Sequence, residues 1–184
     1  MLTDDRSGLT EHEPLPRTTI DVMSKNIVTF AGLTLSWDES YWATVIDDFD
    51  PFGGEIELHV ETRDEEKMKP HALQVDAWNG VLRNRSHYLA LIREGLFRFY
   101  CDIRPRYEQA GPEWIANMPV LSKKEEIDVL LHLNYISIRW PYDEETPSIG
   151  FSYRCEWDPE HGAGIILKGD AIIDVGGADC LLCS

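Results

Sequence analysis

The sequence predicts an α+β domain in which N-terminal and C-terminal strands form an antiparallel sheet and a helical block packs on one face. Three observations carry this expectation. Apolar and polar residues alternate in strand-like runs between Ile27 and Glu61, the apolar spacing widens to a helical period from about Lys69 to Ile103, and strand-like runs return from Tyr135 onward. Strands, then helices, then strands describe an α+β order, whereas a parallel βαβ repeat would interleave the two. The chain of 184 residues is long enough for one such domain. At this size roughly 70% of the surface exposed by the unfolded chain is buried, and a composition 43% apolar can fill that interior.

Residues 1 to about 26 mix Gly8, Pro14 and Pro16 with polar residues and no period, so they read as a poorly ordered leader to a single domain over 27–184. The first strand is Ile27 to Phe30. In the second, Leu33, Leu35 and Trp37 alternate with Thr34 and Ser36. A third runs from Tyr41 to Ile46 and ends in the turn-forming run Asp47-Asp48-Phe49-Asp50-Pro51-Phe52-Gly53-Gly54. In the fourth, Ile56, Leu58 and Val60 point one way and Glu55, Glu57, His59 and Glu61 the other, the pattern of an antiparallel strand with one wet face.

Pro70 suits the first turn of a helix, with Leu73, Ala77 and Val81 at i, i+4 and i+8 and with Trp78 and Leu82 beside them. Asn84-Arg85-Ser86 reads as a break or kink. Beyond it Leu89, Ile92, Leu96, Phe99 and Ile103 continue an apolar stripe that Pro105 is expected to stop. Residues 105–119 read as a loop carrying Trp114. Ser122 and Glu125 have capping-box spacing for a short helix to about Leu131. Four strands follow, Tyr135 to Trp140, Ile149 to Trp157, Ala163 to Leu167 and Ala171 to Val175, with Lys168-Gly169-Asp170 as a hairpin turn.

The formal charge is −16, from 17 Lys+Arg and 33 Asp+Glu. Nucleic-acid and anionic-membrane binding need basic surface, so both are excluded as expected partners. The N-terminal residues lack a basic and apolar signal pattern, no stretch is long and apolar enough for a membrane span, and the expected compartment is the cytoplasm. The charge is uneven: residues 38–66 carry a net −10 and residues 142–179 a net −7, while the helical block 67–106 carries +5. Such acids can be no more than a solvated face that prevents edge aggregation. They can equally be the rim of a site for a basic protein, because Trp37, Tyr41, Trp42, Phe49 and Phe52 lie among them and aromatic anchors inside a charged rim build binding hot spots. The candidate contacts are Asp47, Asp48, Asp50, Glu55 and Glu57, with Asp143, Glu144 and Glu145 as a second group.

The most distinctive run is Trp157-Asp158-Pro159-Glu160-His161-Gly162-Ala163-Gly164. Asp158, Glu160 and His161 have the chemistry of a metal site or an acid/base pair, but they crowd into one turn, where Asp158 can equally cap the backbone. Cys180 and Cys183 form a single CxxC, half of what a closed zinc site normally uses. No cofactor or metal is expected. This W-D-x-E-H-G-x-G segment, followed by a hairpin and by Asp174-Val175-Gly176-Gly177-Ala178-Asp179, resembles a family of uncharacterised bacterial domains often encoded near polymorphic toxins and thought to include immunity proteins. The resemblance implies a cytoplasmic immunity protein that occludes a cognate toxin with a basic surface, such as a nuclease, and it supplies no catalytic residues. The competing readings are a small hydrolase using Asp158, Glu160 and His161, and a generic interaction adaptor.

Overall fold

The computed structural model describes residues 26–47, 49, 54–63, 67–142 and 145–182. Among these, eight strands form one sheet in sequence order: β1 (Ile27–Phe30), β2 (Leu33–Asp38), β3 (Tyr41–Ile46), β4 (Ile56–Glu61), β5 (Leu131–Ile138), β6 (Ser148–Cys155), β7 (Ala163–Lys168) and β8 (Ala171–Gly176). Between β4 and β5 come helices α1 (Ala72–Arg83), α2 (Arg85–Ala110) and α3 (Pro112–Ile115) and a 3-10 helix, Lys124–Leu130. The leader lies almost wholly outside the described residues.

The sheet is α+β and mostly antiparallel, with one departure from expectation: β4 and β5 pair in parallel, with Leu58 opposite Ile136 and Val60 opposite Ile138. Two antiparallel meanders are thus joined side by side. A parallel pair requires a long crossover, and the helical segment supplies it. The register places Val28, Leu35, Trp42, Leu58, Ile136, Phe151 and Ile165 on one face. These residues share a buried cluster with Trp78 and Val81 of α1 and Ile92, Leu96 and Tyr100 of α2. Phe49 stacks on both Trp78 and Phe151, with ring centroids 5.6 and 6.0 Å apart. Tyr100 meets Trp157 edge-on at 4.9 Å.

One polar side chain fixes the crossover. Gln74, fully buried at the start of α1, accepts the His71 backbone N–H through Oε1 at 2.8 Å, and His71 Nδ1 accepts the Leu73 N–H at 3.2 Å. Gln74 Nε2 donates to the carbonyls of Glu61, Ile138 and Arg139 at 2.9, 3.0 and 3.1 Å. The ends of both parallel strands are therefore tied to one helix start.

Local boundaries differ from expectation for identifiable reasons. Pro70 precedes α1, because His71 takes the N-cap position. Pro105 lies within α2; it is on the exposed side, so the backbone acceptor that it leaves without a partner can be hydrated. On either side of it the helix is held, by Arg104 Nε donating to the Met118 carbonyl at 3.0 Å and by the Tyr107 hydroxyl donating to Asp158. The expected 105–119 loop therefore contains the end of α2 and all of α3. The Ser122–Glu125 capping box does not form: the Ser122 N–H donates instead to Glu126 Oε2 at 2.7 Å, at the head of the 3-10 helix. That helix is tied to α2 by a bidentate pair, Arg93 Nε and Nη2 with the Asp128 carboxylate, at distances from 2.6 to 3.0 Å. Strand β5 starts at Leu131, earlier than expected, and passes its bulge between Leu133 and Tyr135.

Replacing Gln74 by Ala removes the hydrogen bonds that its amide makes to three carbonyls and to a helix-start N–H, and each buried polar group left unpaired costs about 1–3 kcal/mol. Gln74→Ala is expected to lower the urea-unfolding free energy by roughly 2–4 kcal/mol, allowing for hydration of part of this set. A loss below about 1 kcal/mol would mean that the crossover is anchored elsewhere.

Candidate functional site

The opposite sheet face carries the other strand parity: Asp38 and Ser36 of β2, Tyr41, Ala43 and Val45 of β3, Glu57, His59 and Glu61 of β4, and Tyr135 and Ser137 of β5. Three rings form a ladder across it. Tyr41 stacks on His59 at 4.3 Å, and His59 on Tyr135 at 4.9 Å, with interplanar angles of 29° and 16°. Cross-strand neighbours on one face are close enough for aromatic stacking, and this ladder covers the parallel β4–β5 seam. The His59 side chain is only 15% exposed and its Nε2 lies 3.0 Å from Glu57 Oε2. Ser137 donates through Oγ to Glu61 Oε1 at 2.6 Å. Burial, and then the Asp38 carboxylate to which it is hydrogen-bonded, raise the Tyr41 phenol above its ordinary range.

The C-terminal half of this face is covered by the chain itself. A 3-10 helix, Ala178–Leu182, folds back over β6 and β7. Leu181 is buried against Gly150, where any Cβ would overlap its side chain, and Arg139 Nη2 donates to the Leu181 carbonyl. This strap forms one wall of a groove of about 630 Å³ whose lining includes Tyr41, His59, Glu61, Tyr135, Tyr142 and Leu182. A second basin of about 590 Å³ shares Glu61, Tyr142, Leu181 and Leu182 with it and extends to Arg139, Glu145 and Lys168. Tyr142, Ile173 and Leu182 are exposed apolar groups around that second basin.

The structure divides the acids singled out by sequence. Glu57 lies on the ladder face. Asp47 and Glu55 are exposed and directly follow and precede the last β3–β4 pair, Ile46 with Ile56, at the end of the sheet away from Glu61. Glu145 lines the second basin and pairs with Lys168; this ion pair holds the Glu145 carboxyl below its ordinary range. Asp48, Asp50, Asp143 and Glu144 lie outside the described residues, as does Phe52. Of the aromatics among the acids, Trp42 and Phe49 are core, whereas Tyr41 is part of the ladder. Sequence reading missed Tyr135, Ser137, Tyr142 and the strap. The one signal for them is that Tyr135 and Ser137 fall on the polar parity of their strand.

Asp158 and His161 do meet, in the turn between β6 and β7. The Asp158 carboxylate accepts the His161 backbone N–H at 3.1 Å and the Tyr107 hydroxyl at 3.1 Å, and lies 3.0 Å from His161 Nδ1. The turn is thereby fastened to the end of α2. Burial pushes the Asp158 carboxyl up, but the hydrogen bonds from His161 and Tyr107 outweigh it and leave it below its ordinary range. The bond to Asp158 raises the His161 imidazole. Glu160 is exposed on the same turn. Gly162 has φ +66 and a Cβ there would overlap the Tyr153 carbonyl. Trp157 is buried beside Tyr100, and Gly164 sits under Cys180. None of Asp158, Glu160 and His161 lines either basin of the groove. Burial pushes the Cys155 and Cys180 thiols up to about 12 and about 11. Cys183 lies outside the described residues. Among the described residues, no three His, Cys, Asp or Glu side chains gather as a metal site, and no helix is long and apolar enough to cross a membrane.

A family model described as a domain of unknown function matches residues 30–182. The chain belongs to the DUF6985 family. No curated protein and no solved structure matches it. The matched span of the DUF6985 domain runs from the end of β1 through the strap and so contains the ladder, the groove and the Asp158 turn.

The shifts in this DUF6985 turn have opposite signs. The lowered Asp158 contributes stability above the ordinary carboxylate range, which is lost as pH falls through its folded value. The raised His161 contributes stability in full below about pH 6.5, which is lost as pH rises through its folded value. In an NMR titration His161 is expected to titrate above the ordinary histidine range and to return to it in Asp158→Asn. An unchanged His161 midpoint in that variant would refute the pairing.

Proposed function

We propose that the chain is a binding protein of the immunity type, which occludes a toxin with a cationic surface and makes or breaks no bond. The observation that carries this reading is the open sheet face, where an aromatic ladder lies among Asp38, Glu57 and Glu61. No lysine or arginine occurs between Leu33 and Glu61, so the face keeps one sign of charge from β2 to β4. A surface of this kind steers an oppositely charged partner and speeds encounter, while fixed aromatic groups supply contact area at low entropic cost. The resemblance of the Trp157–Gly164 run to domains encoded near toxins supplies the kind of partner. In the Asp158 turn the carboxylate is engaged by Tyr107 and His161, and none of Asp158, Glu160 and His161 lines the groove.

The test is capture of the product of the adjacent gene at low salt, followed by association kinetics and protection of cells expressing that product. Glu57→Lys is expected to slow association about tenfold. Arg98→Glu, on an exposed position of α2, is expected to leave it unchanged. Absence of binding at low salt together with absence of protection would end the immunity reading.

A further inference from the structure

We propose that the groove between the aromatic ladder and the C-terminal strap receives an arginine side chain of a protein partner, with Glu61 as the carboxylate that pairs its guanidinium. The inference rests on the binding role proposed above and adds the group that is recognised and the place where it enters. The two basins differ in charge. In the second, Lys168 already pairs with Glu145, and Arg139 donates to the Leu181 carbonyl. In the first, the described lining residues include no lysine or arginine, and Glu61 is the carboxylate among them. Ser137 holds one Glu61 oxygen at 2.6 Å and thereby orients the carboxylate.

The remaining lining fits the rest of the ligand. Tyr41, Tyr135 and Tyr142 present aromatic surface, and Leu181 and Leu182 present aliphatic surface. Arginine combines an aliphatic stem with a planar cation that pairs with a carboxylate and stacks on aromatic rings. The lysine ammonium is more strongly hydrated and cannot match the planar fork. The groove, at about 630 Å³, has room for such a side chain and for part of the backbone that carries it.

The test uses the full chain and N-acetyl-arginine amide as probe, followed by amide and aromatic NMR shifts at constant ionic strength, with N-acetyl-lysine amide as the charge-matched control. Saturable shifts are expected at Glu61, Ser137, Tyr142 and Leu182, with the lysine probe at least threefold weaker and Glu61→Gln at least fivefold weaker. Glu61 also bonds Ser137, so Tyr142→Ala provides a second variant and is expected to weaken binding at least twofold in a folded chain. Shifts centred on Asp47 and Glu55, equal binding of the two probes, or arginine binding unchanged in Tyr142→Ala would overturn the proposal. Because this assay contains no toxin, its failure leaves capture and protection as an independent test of the immunity reading, and their failure leaves the arginine site standing.

Discussion

The architecture depends on closing one parallel seam inside an otherwise antiparallel sheet. Strands β1–β4 and β5–β8 are each meanders that local turns can form, but neither set specifies how the two are joined. Gln74 supplies a large part of the answer. Its amide caps the first turn of α1 through one atom and reaches carbonyls at the ends of β4 and β5 through the other. A buried amide is costly unless satisfied, and here both of its ends are. The alternative placements of the helices lose those bonds, which makes the polar contact specify the crossover in a way that apolar packing, being non-directional, does not.

The same seam shapes the open face. Parallel strands are ordinarily buried on both sides, yet among the described residues no layer of helices lies beyond β4 and β5 on this side, only side chains and the strap. The stacked rings of Tyr41, His59 and Tyr135 cover the seam, and beside it Leu181 sits in the gap left by Gly150 of β6. The groove is what remains between these two covers. Its floor is therefore structural first, so changing His59 or Tyr135 would disturb the seam along with any ligand. Glu61 and Tyr142 are freer to report on binding, since Tyr142 is exposed and the Glu61 carboxylate is held by Ser137 through one oxygen.

Much of this was legible in the sequence, and the failures have physical causes. Strand-like runs were legible at all eight strands, and in β2 and β4 strict alternation also marked the inward face, because Ile56, Leu58 and Val60 or Leu33, Leu35 and Trp37 can be apolar together only on one pleated face. The stripe of Ile92 and Leu96 located α2, whereas Pro105 gave a false stop because its cost depends on whether water reaches the freed acceptor, which is a tertiary property. The parallel pairing was invisible because alternation reports which side a residue faces and not which strand lies beside it. For the candidate site, charge located Glu57 and its face but not Tyr135, Tyr142 or Leu181, whose neighbours come from distant parts of the chain. The W-D-x-E-H-G-x-G run admits both a structural and a chemical role by sequence, and its geometry shows Asp158 bonded within the turn and to Tyr107.

Charge segregation gains its meaning from this topology. The net −10 of residues 38–66 and the +5 of residues 67–106 adjoin in sequence, yet the Glu57 and Glu61 side chains emerge on the face opposite the cluster that contains Trp78, Ile92 and Leu96. Hydrophobic burial on one face thus sorts the strand acids Asp38, Glu57 and Glu61 onto the other, without requiring any ion pair between the two blocks. Basic residues of α2 are instead neutralised locally, Arg98 by Glu94 and Arg93 by Asp128. The open face of β2–β4 has no such compensation from its own strands. A cation approaching the groove therefore meets Asp38, Glu57 and Glu61 on strands that carry no lysine or arginine.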